Sequence, residues 1–93
     1  MIPADFYVFV ETKPKSDIFL LEQGDILGVV TRVGKRCHEQ EVLIKKPEGL
    51  EFGRLNEGDQ ISFRNESIYW TFQKDGKPVN CLSIKDVKCC YHQ

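Results

Sequence analysis

Residues 55–87, LNEGDQISFRNESIYWTFQKDGKPVNCLSIKDV, decide the fold. Gly58-Asp59 forms a turn that launches one strand. A second strand follows with Ile68, Trp70 and Phe72 on one face. Asp75-Gly76 then reverses the chain into a third strand, because a type I′ turn needs positive φ at both central residues. That strand stops at a Lys85-Asp86 turn before a short terminal strand. This pattern predicts a small closed β structure.

Upstream, residues 6–11 (FYVFVE) read as a strand that is apolar on both faces, with Phe6, Val8 and Val10 opposite Tyr7 and Phe9. Two explanations stay open: one face meets another subunit, or the strand is central in a barrel. Residues 12–23 (TKPKSDIFLLEQ) have turn composition around Pro14. They also contain the apolar run Ile18, Phe19, Leu20 and Leu21, either a short strand or an exposed adhesive segment. Residues 24–33 (GDILGVVTRV) form a long strand in which Gly28 suggests a bulge or tight bend. Residues 34–54 are polar and turn-rich. One strand at residues 41–45 and a Pro47-Glu48-Gly49 turn make a hairpin that stands off the body of the domain. No helical periodicity, internal repeat or low-complexity tract is present, so the expectation is all-β with seven short strands.

At 93 residues the chain is long enough for one domain, spanning residues 1–93. A domain of this size buries only roughly 60–65% of its unfolded surface. With 41% hydrophobic residues it is globular, and part of that apolar material is available to join subunits. A net charge of −1 and the short basic pairs Lys35-Arg36 and Lys45-Lys46 argue against nucleic acid as a partner, since phosphate binding needs a concentrated basic face. The start Met-Ile-Pro-Ala-Asp lacks the basic and apolar regions of a signal peptide, and no apolar run approaches the ~20 residues of a membrane helix. The expectation is a cytoplasmic protein without a membrane or a small-molecule substrate.

In a reducing compartment Cys37, Cys81, Cys89 and Cys90 are expected as thiols. Cys37-His38 and Cys89-Cys90-x-His92 could in principle join around zinc. However, neither pair has the spacing by which one turn grips a metal, and adjacent strand cysteines face opposite ways. Buried small thiols are the simpler expectation, with no metal and no cofactor. The chain has no nucleophile elbow, P-loop or dinucleotide fingerprint, and Cys37-His38 side chains diverge on an extended backbone, so no enzyme is expected.

Four elements in fixed order carry a family likeness. They are PADFYVFV at residues 3–10, the apolar Ile18-Phe19-Leu20, GDILGVV at residues 24–30 with Val33-Gly34, and the block at residues 55–87. Leu55-Asn56-Glu57-Gly58-Asp59-Gln60-Ile61 and Ile84-Lys85-Asp86-Val87 carry the closest matches. The chain resembles the GroES-type (chaperonin-10) co-chaperonins over nearly its whole length. It departs from that pattern in its shorter loop, in Asp17 where the family's loop glycine stands, in residues 65–70, and in its cysteine-rich end. Such divergence resembles virus-encoded co-chaperonins, which act in the host cytoplasm.

The resemblance implies a GroES-like β-barrel with a mobile loop and a roof hairpin over residues 39–50. It further implies a homo-oligomeric ring, a heptamer, that caps a GroEL-type chaperonin during ATP-dependent folding. Ile18, Phe19, Leu20 and Leu21 would dock on the chaperonin. Phe6, Val8 and Val10 would meet Val87, Cys89 and Tyr91 of the neighbouring subunit. Two other readings fit the composition: a monomeric SH3-like or OB barrel binding protein or RNA through Tyr69, Trp70 and the basic pairs, and a viral structural or assembly protein.

Overall fold

The computed structural model describes residues 2–13 and 24–92. Eight strands run in the order β1 (Tyr7–Lys13), β2 (Asp25–Val33), β3 (Val42–Lys46), β4 (Gly49–Gly53), β5 (Gln60–Arg64), β6 (Trp70–Lys74), β7 (Lys77–Ser83) and β8 (Cys89–Tyr91). Three single-turn 3₁₀ segments, Cys37–Glu39, Asn65–Ser67 and Ile84–Asp86, join them. All strands belong to one sheet in the order β4-β3-β8-β5-β2-β1-β7-β6. Every ladder is antiparallel except β3 with β8. The fold is all-β, as expected, with eight strands among the described residues against the seven expected.

The sheet curls around one main core. Val8 and Val10 of β1, Val30 of β2, Ile44 of β3, Ile61 and Phe63 of β5, and Leu82 of β7 pack into one buried cluster with Cys90. Each large side chain taken fully from water contributes about 1.5–3 kcal/mol. Period-two alternation places these residues inward and sends Tyr7 and Phe9 to the opposite face. There Phe9, Val79 and Cys81 form a second cluster, against which Tyr7 and Phe72 pack. The double-faced hydrophobicity of β1 is thus that of a central strand, flanked by β2 and β7 and covered on both sides by its own chain.

The Asp75-Gly76 turn has the backbone expected of it, with φ of 53° and 77°, and it pairs Lys74 with Lys77. Gly28 differs from expectation. The register shift in the β1–β2 ladder falls between Phe9↔Arg32 and Val10↔Val30, so Thr31 is the extra residue. Its hydroxyl donates to the Phe9 carbonyl at 3.3 Å. Glycine is required at 28 for close approach instead, since a Cβ there would stand 2.9 Å from the Glu11 carbonyl oxygen.

The expected roof hairpin also changes in extent. Two strands form it, β3 and β4, joined through Pro47-Glu48, and Lys46 pairs with Glu51 across the ladder. Only β4 lies outside the body: Val42 and Ile44 of β3 are buried in the main core, and β3 is hydrogen-bonded to β8. Ile68 likewise departs from the face shared by Trp70 and Phe72. The turn at Asn65–Ser67 interrupts the strand, and Ile68 packs on the main core while Phe72 packs on the outer cluster.

Candidate functional site

The β1–β2 hairpin extends to the pairs Thr12↔Gly28 and Lys13↔Leu27. The ladder therefore continues to the start of residues 14–23, and the expected loop begins later than residue 12. Ile18, Phe19, Leu20 and Leu21 lie outside the described residues. What the fold shows is the residues that flank residues 14–23. Asn80 of β7 is buried; its amide nitrogen donates to Thr12 Oγ1 at 2.6 Å, and its oxygen accepts from Thr71 Oγ1 of β6 at 2.8 Å. Asp25, at the other end of that segment, is buried and paired with Lys88 Nζ at 2.9 Å. Two buried polar groups that find partners fix a geometry that an apolar contact would leave free to slide.

The residues expected between subunits make contacts within the chain itself. Val8 and Val10 are fully buried in the chain's own core, and Val87 is buried beside them. Phe6 packs on that core beneath the Arg36 guanidinium, 4.6 Å from its ring centre. Tyr91 donates its hydroxyl to the buried Ser62 at 3.1 Å, and Cys89 is half-buried. Both hydrogen-bonding edges of β1 are filled by β2 and β7, and those of β8 by β5 and β3. Pairing of β1 with a neighbour's β8 would require one of these ladders within the chain to open.

Among the described residues the open edges of the sheet are β4 and β6, and each carries apolar surface. On β4, Leu50 is 64% and Phe52 68% exposed. Near β6 an aromatic tract runs across the outer face. Phe9 meets Phe72 at 4.9 Å and Trp70 at 6.1 Å, both edge-on, and Tyr7 lies 5.4 Å from Tyr69. A groove of about 280 Å³ beside it is lined by Ile2, Pro3, Tyr7, Tyr69 and Trp70. The sequence marks Tyr69 and Trp70, but it gives no warning of Leu50 and Phe52. They sit in a GLEFG strand whose alternation looks like that of a half-buried strand.

One member of each basic pair is engaged within the chain. Arg36 Nε donates to Glu39 at 2.9 Å, and Lys46 pairs with Glu51. Burial pushes up the thiols of Cys37 and Cys81. Cys37 donates to the carbonyls of Asp5 and Tyr7, at 3.6 and 3.5 Å, and so has no part in a cluster with the end of the chain. Around Cys90 a group forms in which Asp59 is the member the sequence did not suggest: ligand atoms of Asp59, Cys90 and His92 all lie within 4.8 Å of one another. Burial, then the Asp59 carboxylate, pushes the Cys90 thiol up to about 12. The period-two spacing Cys90-x-His92 was the available signal, whereas Asp59 reads only as a turn residue.

No family model matches the chain, and no curated protein matches it in sequence. Among the described residues no helix is long and apolar enough to cross a membrane.

Proposed function

We propose that this protein is a co-chaperonin of the GroES type, a ring subunit that caps a GroEL-type chaperonin in the cytoplasm through Ile18, Phe19, Leu20 and Leu21. One observation carries this reading: the apolar run falls between the ladder pair Lys13↔Leu27 and the buried Asp25–Lys88 ion pair, a base built to present a segment. The motif order adds support. Gly58-Asp59 precedes β5, and the Ile84–Asp86 turn precedes the last strand, as the resemblance requires. In this reading the curled sheet is a GroES-like barrel, and the β3–β4 hairpin is its roof, with β4 projecting.

The energetics suit a reversible cap. Fully burying three large apolar side chains contributes about 1.5–3 kcal/mol each. Ordering about a dozen residues costs on the order of 1 kcal/mol per residue. One segment therefore binds weakly, and a ring gains affinity through high effective concentration. Out and back, twelve residues reach at most about 20 Å, which limits the cap to a groove close to the ring. Since β1 and β8 have no open edge, ring contacts fall to the exposed edges β4 and β6. They form the head-to-tail interface of unlike surfaces that closes a cyclic homo-oligomer.

The test is capture of the ring by an ATP-charged chaperonin, with Phe19→Asp as the comparison. The cap reading expects binding by the natural chain and none by the variant, with an unchanged circular dichroism spectrum. Unfolding of Phe19→Asp would place Phe19 in the core and remove the docking role.

The exposed Tyr69 and the groove beside Trp70 favour a second reading, a monomeric adaptor that binds an apolar peptide. A stable monomer whose Trp70 fluorescence responds to apolar peptides but not to chaperonin would establish it.

A further inference from the structure

Three donors of different chemistry converge where the last strand crosses the entry to β5. Asp59 Oδ1 and His92 Nε2 are 3.4 Å apart, and ligand atoms of Asp59, Cys90 and His92 all lie within 4.8 Å of one another. His92 Nε2 is shielded from solvent and makes no hydrogen bond, although its ring is one-third exposed. A buried ring nitrogen without a hydrogen bond costs free energy unless something else meets its lone pair. The separation suits such a partner. Ligands at about 2.0–2.1 Å from a tetrahedral zinc stand roughly 3.3–3.4 Å apart along each edge.

The frame around the donors is already fixed. Asp59 Oδ2 accepts from the Asn56 amide at 2.8 Å, and the Asp59 carbonyl accepts from the Val30 amide at 2.9 Å. Those bonds leave Oδ1 turned toward His92. Cys90 is fully buried, and its backbone is paired with Ile61 on one side and Ile44 on the other, which fixes the position of its Cα. The His92 amide donates to the Lys45 carbonyl at 2.9 Å, which holds the end of β8 against β3. Outer partners of this kind are what orient the ligands of metal sites.

We propose that Asp59, Cys90 and His92 bind one Zn²⁺ ion, with water at the fourth position on the partly exposed side. A thiolate, an imidazole and a carboxylate together favour zinc over magnesium or calcium, which take oxygen ligands. Thiolate and carboxylate supply two negative charges, which neutralise the cation in a half-buried place. Binding releases the Cys90 thiol proton to solvent, since a coordinating thiol is deprotonated by the ion's own charge. The metal would clamp the last strand to the turn before β5, and it stands apart from the chaperonin reading.

The experiment is Co²⁺ titration of the reduced, chelator-treated chain, read in the ultraviolet and visible. The expected result is a thiolate-to-cobalt charge-transfer band that ends at one equivalent and is displaced by Zn²⁺. Cys90→Ala should abolish the band. His92→Ala should weaken Co²⁺ binding beyond the ~10–100-fold that outer-shell changes cost. Cys37→Ala, whose thiol donates to the Asp5 and Tyr7 carbonyls and is outside the donor group, should leave both unchanged. Should Cys90→Ala fail to fold, His92→Ala decides, because its partly exposed ring can be removed without opening the core. A natural chain with no saturable band, or a band of unchanged affinity in His92→Ala, would overturn the site.

Discussion

Gly28 and Val10 lie so close that a Cβ on the glycine would run into Val10 Cγ1, with the Glu11 carbonyl oxygen 2.9 Å away. Strand β2 approaches β1 at this distance only because residue 28 lacks a side chain. Gly28→Ala should therefore destabilise the domain by about 1–3 kcal/mol, the usual range for overpacking. Urea unfolding measures it. A midpoint equal to that of the natural chain would mean that β1 and β2 can part without cost.

Asn80 joins three strands by two side-chain hydrogen bonds, to Thr12 and from Thr71. Asn80→Ala removes both, and the alanine leaves a gap in a buried position. We expect a loss of about 1–3 kcal/mol. Hydrogen exchange should quicken first at the amides of β1 nearest residue 13. Uniform acceleration across the sheet would show that Asn80 supports the core as a whole.

Burial raises the Cys37 and Cys81 thiols above their ordinary value of 9.0. In the unfolded chain these thiols ionise near that value, while in the folded protein they stay protonated. Their contribution is fully present below about pH 9 and is lost as pH rises toward the folded values. Stability in reductant and chelator should fall from pH 8 to pH 10. The slope should be shallower in Cys37→Ala, whatever its stability at neutral pH. An identical slope in the variant would contradict the assignment.

Phe52 is 68% exposed at an open sheet edge, so Phe52→Asp should change stability by no more than about 0.5 kcal/mol. If β4 forms a ring contact, the same change should reduce the native mass to that of a single chain. A ring of unchanged size would move the interface away from β4.

How much of this was legible beforehand depends on how local the cause is. The Asp75-Gly76 turn was readable because two residues determine its backbone, whereas alternation put residues 8 and 10 on one face without showing that this face meets the chain's own core. The second cover over β1 was not, because Trp70 and Phe72 reach Phe9 only after β7 has placed β6 beside it. The parallel contact of β3 with β8 joins segments some forty-five residues apart and leaves no local trace. It is this contact that draws the hairpin into the sheet and holds His92 near Asp59. The Thr31 bulge escaped notice because glycine, not threonine, is the usual sign of one.

Native mass by light scattering, with and without an ATP-charged GroEL-type chaperonin, tests the central claim most directly. The cap account predicts a heptameric ring alone and co-migration with the chaperonin when ATP is present. A monomer that ignores the chaperonin at high concentration would contradict it.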